Sequence, residues 1–253
     1  MEHNDKKADF QLGVSIFLLL AFFTVAEYFI AVSFASTFLL ILIAIIKAGL
    51  VVYFYMHIRK LANNDGDLDR HSYTYKTNTF RLGLWLFLLS DSFVFAGLLV
   101  IRFGLLGLNR PELSQILGLG VTSLLLVSSF FMNRAENAIA HGDRKNFLVS
   151  LTITIVLGIV FLAGVVGVEW QIAHFGPADG PQGAVFYVMT GFHAFHVLTG
   201  VIFLLIVLRN GIRKVYSKEK HWAVEAAAVY WHFIDVVWII FYPVLYLIGE
   251  AVV

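Results

Sequence analysis

The chain contains no cysteine. Disulfides, thiolate-held metals and iron–sulfur clusters are therefore excluded, while the redox compartment stays unread. Charge is also scarce: Asp, Glu, Lys and Arg make up 14% of the 253 residues, against roughly a quarter in an average soluble chain. A surface so short of charge faces lipid rather than water. The sequence carries no phosphate-cradling glycine loop, no dinucleotide fingerprint, no basic nucleic-acid surface and no credible Ser–His–Asp arrangement. Nor does its start read as a signal peptide. Met1–Asp9 is short and polar, the apolar run behind it continues past Phe34, and no convincing cleavage site follows. That run is expected to be a retained first membrane helix.

What the chain does have is apolar length. Hydrophobic residues account for 59% of it, 24 of them Phe, and the mean hydropathy is +0.81. A helix crossing the hydrocarbon needs about 20 predominantly apolar residues. Seven runs qualify, near 11–34, 36–57, 81–103, 114–133, 148–169, 184–208 and 225–248, which predicts an all-α polytopic membrane protein of seven transmembrane helices. The first two are separated only by a turn near Ala35–Ser36 and form a hairpin. The polar stretch Arg59–Lys76, with ANNDGDLDR inside it, is rich in turn formers and is the best module boundary. Three parts follow: a hairpin over 1–60, a linker over 61–78 and a five-helix bundle over 79–253. Lys and Arg set the expected orientation. Of 18, fifteen fall at the N-terminus and in the loops after helices two, four and six; Arg102 and Arg110 fall opposite, and Lys47 is intramembrane. The N-terminus is thus expected on the cytoplasmic (or matrix) side and the C-terminus outside.

Ionisable residues within the spans are the functional candidates, because hydrocarbon makes them costly. Asp91 lies mid-helix in LWLFLLSDSFVF and must be either protonated or paired with a donor. It serves as a proton-handling or lipid-gating group, or as a neutral acid gluing two helices together. His193 and His196 are three apart and share a helix face, as do His232 and Asp235 on the last helix. Two readings stand side by side: a His–His–His–Asp metal cluster, or buried histidines and an acid satisfying one another and backbone carbonyls. Glu225 opens the last helix, where a carboxylate complements the helix N-terminus. Glu136 and Glu169 lie near helix ends, within reach of interfacial water. Glu27 and Lys47 differ in depth by only about 6 Å on the antiparallel hairpin and are expected to form an internal ion pair. Gly158, Gly164 and Gly167 let a neighbouring helix approach closely.

Several segments carry a resemblance. LWLFLLSDSFVF, LLLVSSFFMNRAENAIAHGDRKN, LGIVFLAGVVGVEW, TGFHAFHVLTG and EAAAVYWHFIDVVW occur in the order, and with the signatures, of the five-helix core of heme-copper oxidase subunit III. Asp91 stands where that family has an intramembrane Glu, and Ala194 where Gly is common. His193, His196, Glu225, His232 and Asp235 fall on its polar positions. IAIIKAGLVVYFYMHIRKL, with Lys47 and His57, is similar instead to the small subunit IV of bacterial oxidases. The chain thus resembles a fusion of a subunit IV-like hairpin with subunit III.

The resemblance implies a non-catalytic accessory subunit of a respiratory oxidase that reduces oxygen and pumps protons. Such a subunit carries no redox centre; hemes and copper lie in its partners, subunit I in direct contact and subunit II beyond, with other small subunits. It implies bound phospholipid, assistance to proton uptake, and a place in a bacterial cytoplasmic membrane. Lipid is expected between the hairpin and helices three to seven. Two rival readings come from other classes: a proton-coupled transporter working alone, and a membrane metalloenzyme using the three histidines. Inverted repeats, frequent in transporters, are not apparent.

Overall fold

The computed structural model describes residues 2–34, 36–58, 61 and 72–252; Ala35 and the middle of the polar linker, with Arg59, Lys60 and Arg70, lie outside the described residues. Among the described residues, seven helices are long and apolar enough to cross a bilayer. They are α1 (Glu2–Ser33), α2 (Thr37–Leu50, running on through a π-helical turn Val51–Tyr55), α3 (Tyr73–Leu106), α4 (Gln115–Ala140), α5 (Arg144–Leu162, prolonged by Ala163–Glu169 and Trp170–Ile172), α6 (Gly180–Ile212) and α7 (Trp222–Tyr242, followed by the π-helical turn Pro243–Leu247). The expected runs and the observed spans coincide in number and order. Six of the observed helices are longer, because polar first and last turns extend past the apolar windows into interfacial sequence; the second, Thr37–Tyr55, is shorter than its expected run.

Local chemistry sets the ends. Ser72 caps α3 by accepting from Tyr75 N at 3.1 Å, Ser114 caps α4 by accepting from Leu117 N at 3.3 Å, and Asp143 caps α5 by accepting from Asn146 N at 3.1 Å. Gly142, at φ +76°, makes the left-handed turn that reverses the chain between α4 and α5. These two helices lie side by side as a tight antiparallel pair.

Helix α7 is the axis of the molecule. Its residues are almost all buried, and α3, α4, α6 and the end of α2 pack around it. In a bilayer no hydrophobic drive separates lipid from Leu, so close van der Waals fit and interhelical hydrogen bonds must hold the helices together. The fit is tightest at Trp231. A Cβ on Gly158 of α5 would come within 2.6 Å of its ring, and one on Gly200 of α6 within 3.0 Å. Gly164 meets Val121, while Gly167 has no neighbour within 4 Å, so the glycine stripe expected of α5 works at two of its three positions.

The hairpin packs directly on the bundle: α1 packs on α4, and α2 packs on α7. A second apolar cluster of Ile16, Leu20, Val51, Tyr55, Leu126 and Ile239 joins the two parts directly. Helix α3 packs instead on α6 and α7. A narrow apolar groove of about 140 Å³ runs between α3 and α7, lined by Ser92, Phe95, Ala96 and Leu99 against Phe233, Val236, Val237, Ile240 and Phe241. Val236 also touches the hairpin cluster, so the groove lies beside the hairpin.

Arg102, expected at the outer end of the third span, is fully buried within α3. Its guanidinium donates to Val244 O at 3.1 Å, Gly107 O at 2.6 Å and Ile248 O at 3.3 Å. The π-helical turn leaves carbonyls there without ordinary helical partners, and a cation at helix C-termini satisfies them. The clamp is completed by a two-residue parallel ladder pairing Arg110 with Ala251 and Pro111 with Val252.

Candidate functional site in the membrane interior

The ionisable side chains are distributed over several helix–helix seams, each with its own polar clasp. At one end of α3, Arg81 forks onto Glu225 of α7, Nε donating to Oε1 at 2.9 Å and Nη2 to Oε2 at 3.1 Å. Arg81 Nη1 also donates to Asn78 Oδ1 at 2.7 Å, and the guanidinium lies over the Trp222 ring. Glu225 therefore does more than complement the start of its own helix: it ties α3 to α7 through a bidentate charge-assisted pair, the geometry in which Arg binds carboxylate most strongly. The sequence pointed to Glu225 but not to its partner 144 residues earlier.

At the middle of α6, His196 Nδ1 donates to Phe192 O at 2.8 Å. A carbonyl only accepts, so this bond places a proton on Nδ1. His196 Nε2 then faces Asp91 Oδ2 of α3 at 3.1 Å. With Nδ1 already protonated, an attractive contact requires one further proton between Nε2 and Oδ2, carried either by the acid or by the ring. Asp91 and His196 are thus a proton-sharing pair that clasps α3 to α6, and neither residue is fully enclosed. Asp91 is followed immediately by Ser92, the first residue of the apolar groove. Nearby, the hydroxyls of Thr199 and Tyr230 are bonded at 2.8 Å and join α6 to α7.

His232 and Asp235 sit on the other side of α7, fully buried against α4. Ser129 Oγ is 2.8 Å from His232 Nδ1, and Asp235 Oδ2 lies 3.6 Å from the same nitrogen. The adjacent Ser128 accepts from Trp231 Nε1 at 3.0 Å, and Thr122 accepts from Trp238 Nε1 at 3.0 Å. Helix α4 thus offers a row of hydroxyls to the polar edges of α7. The Tyr55 ring from the end of α2 stacks on His232 at 5.1 Å, and its hydroxyl donates to Gly13 O at 3.0 Å.

His193 stands apart. It is wholly buried among Phe161, Trp238 and Phe241, its ring 4.8 Å from that of Trp238, and neither nitrogen has a hydrogen-bond partner among the described residues. Among the described residues the three histidines and the acid do not converge as a metal cluster would require; His196 bonds a backbone carbonyl and His232 lies near Asp235, as the alternative reading has it. His196 turns toward α3, His232 toward α4, and His193 into an aromatic pocket, because residues three apart on a helix still diverge by about 60°. Among the described residues, no group of three or more His, Asp or Glu side chains is gathered as a metal-ligand set.

Glu27 and Lys47 form an ion pair inside the hairpin, both fully buried, and Lys47 Nζ also lies 3.4 Å from Thr24 Oγ1. Glu136 and Glu169, expected at interfacial water, are instead buried. Glu169 accepts from Tyr246 OH at 2.7 Å, which locks the end of α5 onto the turn after α7.

These features define a class: an all-α polytopic membrane protein whose helices are bound to a central last helix by paired polar side chains. The sequence model of the family described as Cytochrome c oxidase subunit III matches residues 3–250. The chain belongs to that family. Curated relatives named cytochrome c oxidase subunit 3 include that of Gadus morhua, 38% identical over 183 residues, covering 67% of this chain and 70% of the relative. Those of Salmo salar and Xenopus laevis are each 43% identical over 129 residues, covering 51% of this chain and 49% of the relative. The chain is accordingly a subunit of an oxidase complex and an integral membrane protein.

Proposed function

We propose that this chain is the non-catalytic accessory subunit of a respiratory heme–copper oxidase, flanking the subunit that carries heme and copper and stabilising it during turnover. The family match across residues 3–250 carries this reading. Electrons pass from cytochrome c or quinol to oxygen in the partner subunits, while this chain supplies a lipid-facing flank. Phospholipid occupies the groove between α3 and α7, whose walls are almost wholly apolar. The Asp91–His196 pair, which requires a proton and lies at the edge of that groove, assists proton handling. The hairpin is a subunit IV-like module, whose likeness to bacterial oxidases supports a bacterial cytoplasmic membrane. The concentration of Lys and Arg on one side supports a cytoplasmic N-terminus.

Mass spectrometry of what co-purifies with the chain from native membranes in mild detergent tests the proposal. A heme–copper subunit and a copper-bearing subunit in stoichiometric amount are expected. Recovery of the chain alone would overturn the accessory role.

A further inference from the structure

A pocket of about 390 Å³ opens where the loop before α4 meets the end of α5, on the face opposite the Lys- and Arg-rich loops. Glu112 and Ser114 come from one wall, Glu169 and His174 from the other. Glu112, Ser114 and His174 are exposed, whereas Glu169 is only 2% exposed. Tyr246 OH donates to Glu169 Oε2 at 2.7 Å, and Glu169 Oε1 has no hydrogen-bond partner among the described residues. A buried carboxylate oxygen left in that state is costly unless something from outside the chain meets it. The pocket also lies at the C-terminal end of α5, where helix carbonyls and the helix dipole favour positive charge. Arg102 and Arg110, the cations of this face among the described residues, are engaged elsewhere. Arg110 is within electrostatic reach of Glu112 but directs its guanidinium to Gly249 O at 3.3 Å and Pro111 O at 3.4 Å. Arg102 is held by the carbonyls of Val244 and Ile248. Asp179 and Glu250 belong to the same end of the molecule, so the face is acidic.

We propose that this pocket receives a cationic side chain, lysine or arginine, from a partner subunit. Its charged head meets Glu169 Oε1 at the floor, and its stem passes the exposed Glu112 and His174 at the rim. A bare metal ion fits the site less well. The pocket is far larger than one ion, and among the described residues no three His, Asp or Glu side chains are gathered as a ligand set. A side chain on another subunit brings both the charge and the length that the pocket requires. The inference rests on the accessory-subunit reading and adds to it one contact that holds the chain in its complex.

The test uses the intact complex, purified in mild detergent and held on a column through an N-terminal tag on this chain. The release of each partner subunit is timed at rising salt. With Glu169→Gln, one partner subunit is expected to leave about thirtyfold faster than from wild type, because losing one member of a desolvated charge pair acts on dissociation. Gln keeps an acceptor for Tyr246, so the lock on the end of α5 stays in place. Glu112→Gln, at an exposed position, is expected to flatten the salt dependence of that same subunit's release. Release unchanged in both variants would overturn the inference, while the subunits still co-purifying would leave the accessory role standing. Equal acceleration of every subunit would also overturn it, since that marks a general loosening of the fold. So would a stoichiometric divalent metal, found by elemental analysis in wild type and missing from the variants, which would mark an ion site. Wild-type chain recovered without any partner would remove the accessory role and this contact together.

Discussion

At the scale of the residue, the informative question is which proton each buried polar atom holds. The His196 bond to Phe192 O settles one nitrogen, and the 3.1 Å approach of Asp91 then demands a proton on the other side. Asp91→Asn keeps a donor toward Nε2 but loses the exchangeable acid. The assembled complex is expected to form normally and to inactivate faster during turnover, or to retain less lipid. Asp91→Leu removes the partner altogether, and the unpaired imidazole should cost about 1–3 kcal/mol in addition, read as a lower thermal midpoint of the complex. Wild-type inactivation and lipid content in Asp91→Asn would remove Asp91 from any working role. His193 shows the limit of such reasoning from spacing. Its motif looks like half of a ligand pair, yet the ring lies between Phe161 and Trp238 with no hydrogen-bond partner among the described residues. Only the rotation of α6 against α7 decides that.

At the scale of the element, the hairpin is the clearest case. Glu27 and Lys47 are both withdrawn from water and joined to each other. Breaking a buried pair from one side leaves an uncompensated charge and costs about 3–5 kcal/mol, whereas replacing both partners with apolar residues is often neutral. Lys47→Met alone should therefore loosen the hairpin from the bundle, seen as increased protease or hydrogen-exchange access in α1 and α2. Glu27→Leu/Lys47→Met together should restore wild-type protection. A double variant as exposed as the single one would mean that the pair does not act as a unit. The ion pair was legible beforehand because antiparallel helices of known rise put both residues at nearly one depth. The Arg81–Glu225 fork was not: its partners come from helices that are not consecutive, and no local spacing encodes which helices become neighbours.

At the scale of the whole molecule, the last helix organises everything else. Helices α3, α4 and α6 and the end of α2 pack on α7, and the turn beyond it is held by Arg102 and Glu169. The hairpin joins this assembly through its own apolar cluster with Leu126 and Ile239. A chain severed within residues 62–71, expressed as two pieces, is expected to reassemble with the hairpin bound, shown by co-purification of the two fragments. Dissociation of the hairpin on cutting would mean that the covalent link, rather than the packing, holds it in place.

The sequence alone determined the seven spans, the absence of thiol chemistry, the family, and the list of costly buried polar residues. Each of these follows from composition along a single segment, because a span needs only local apolar length and a motif only local order. The tertiary structure alone decided how those polar residues are shared out: Asp91 with His196, Glu225 with Arg81, His232 with Ser129, and His193 with none. It also decided that the hairpin packs on α4 and α7. The physical reason is the same throughout. In hydrocarbon a polar side chain finds a partner only within the protein, and which partner, if any, it finds depends on the rotation and adjacency of helices far apart in the chain.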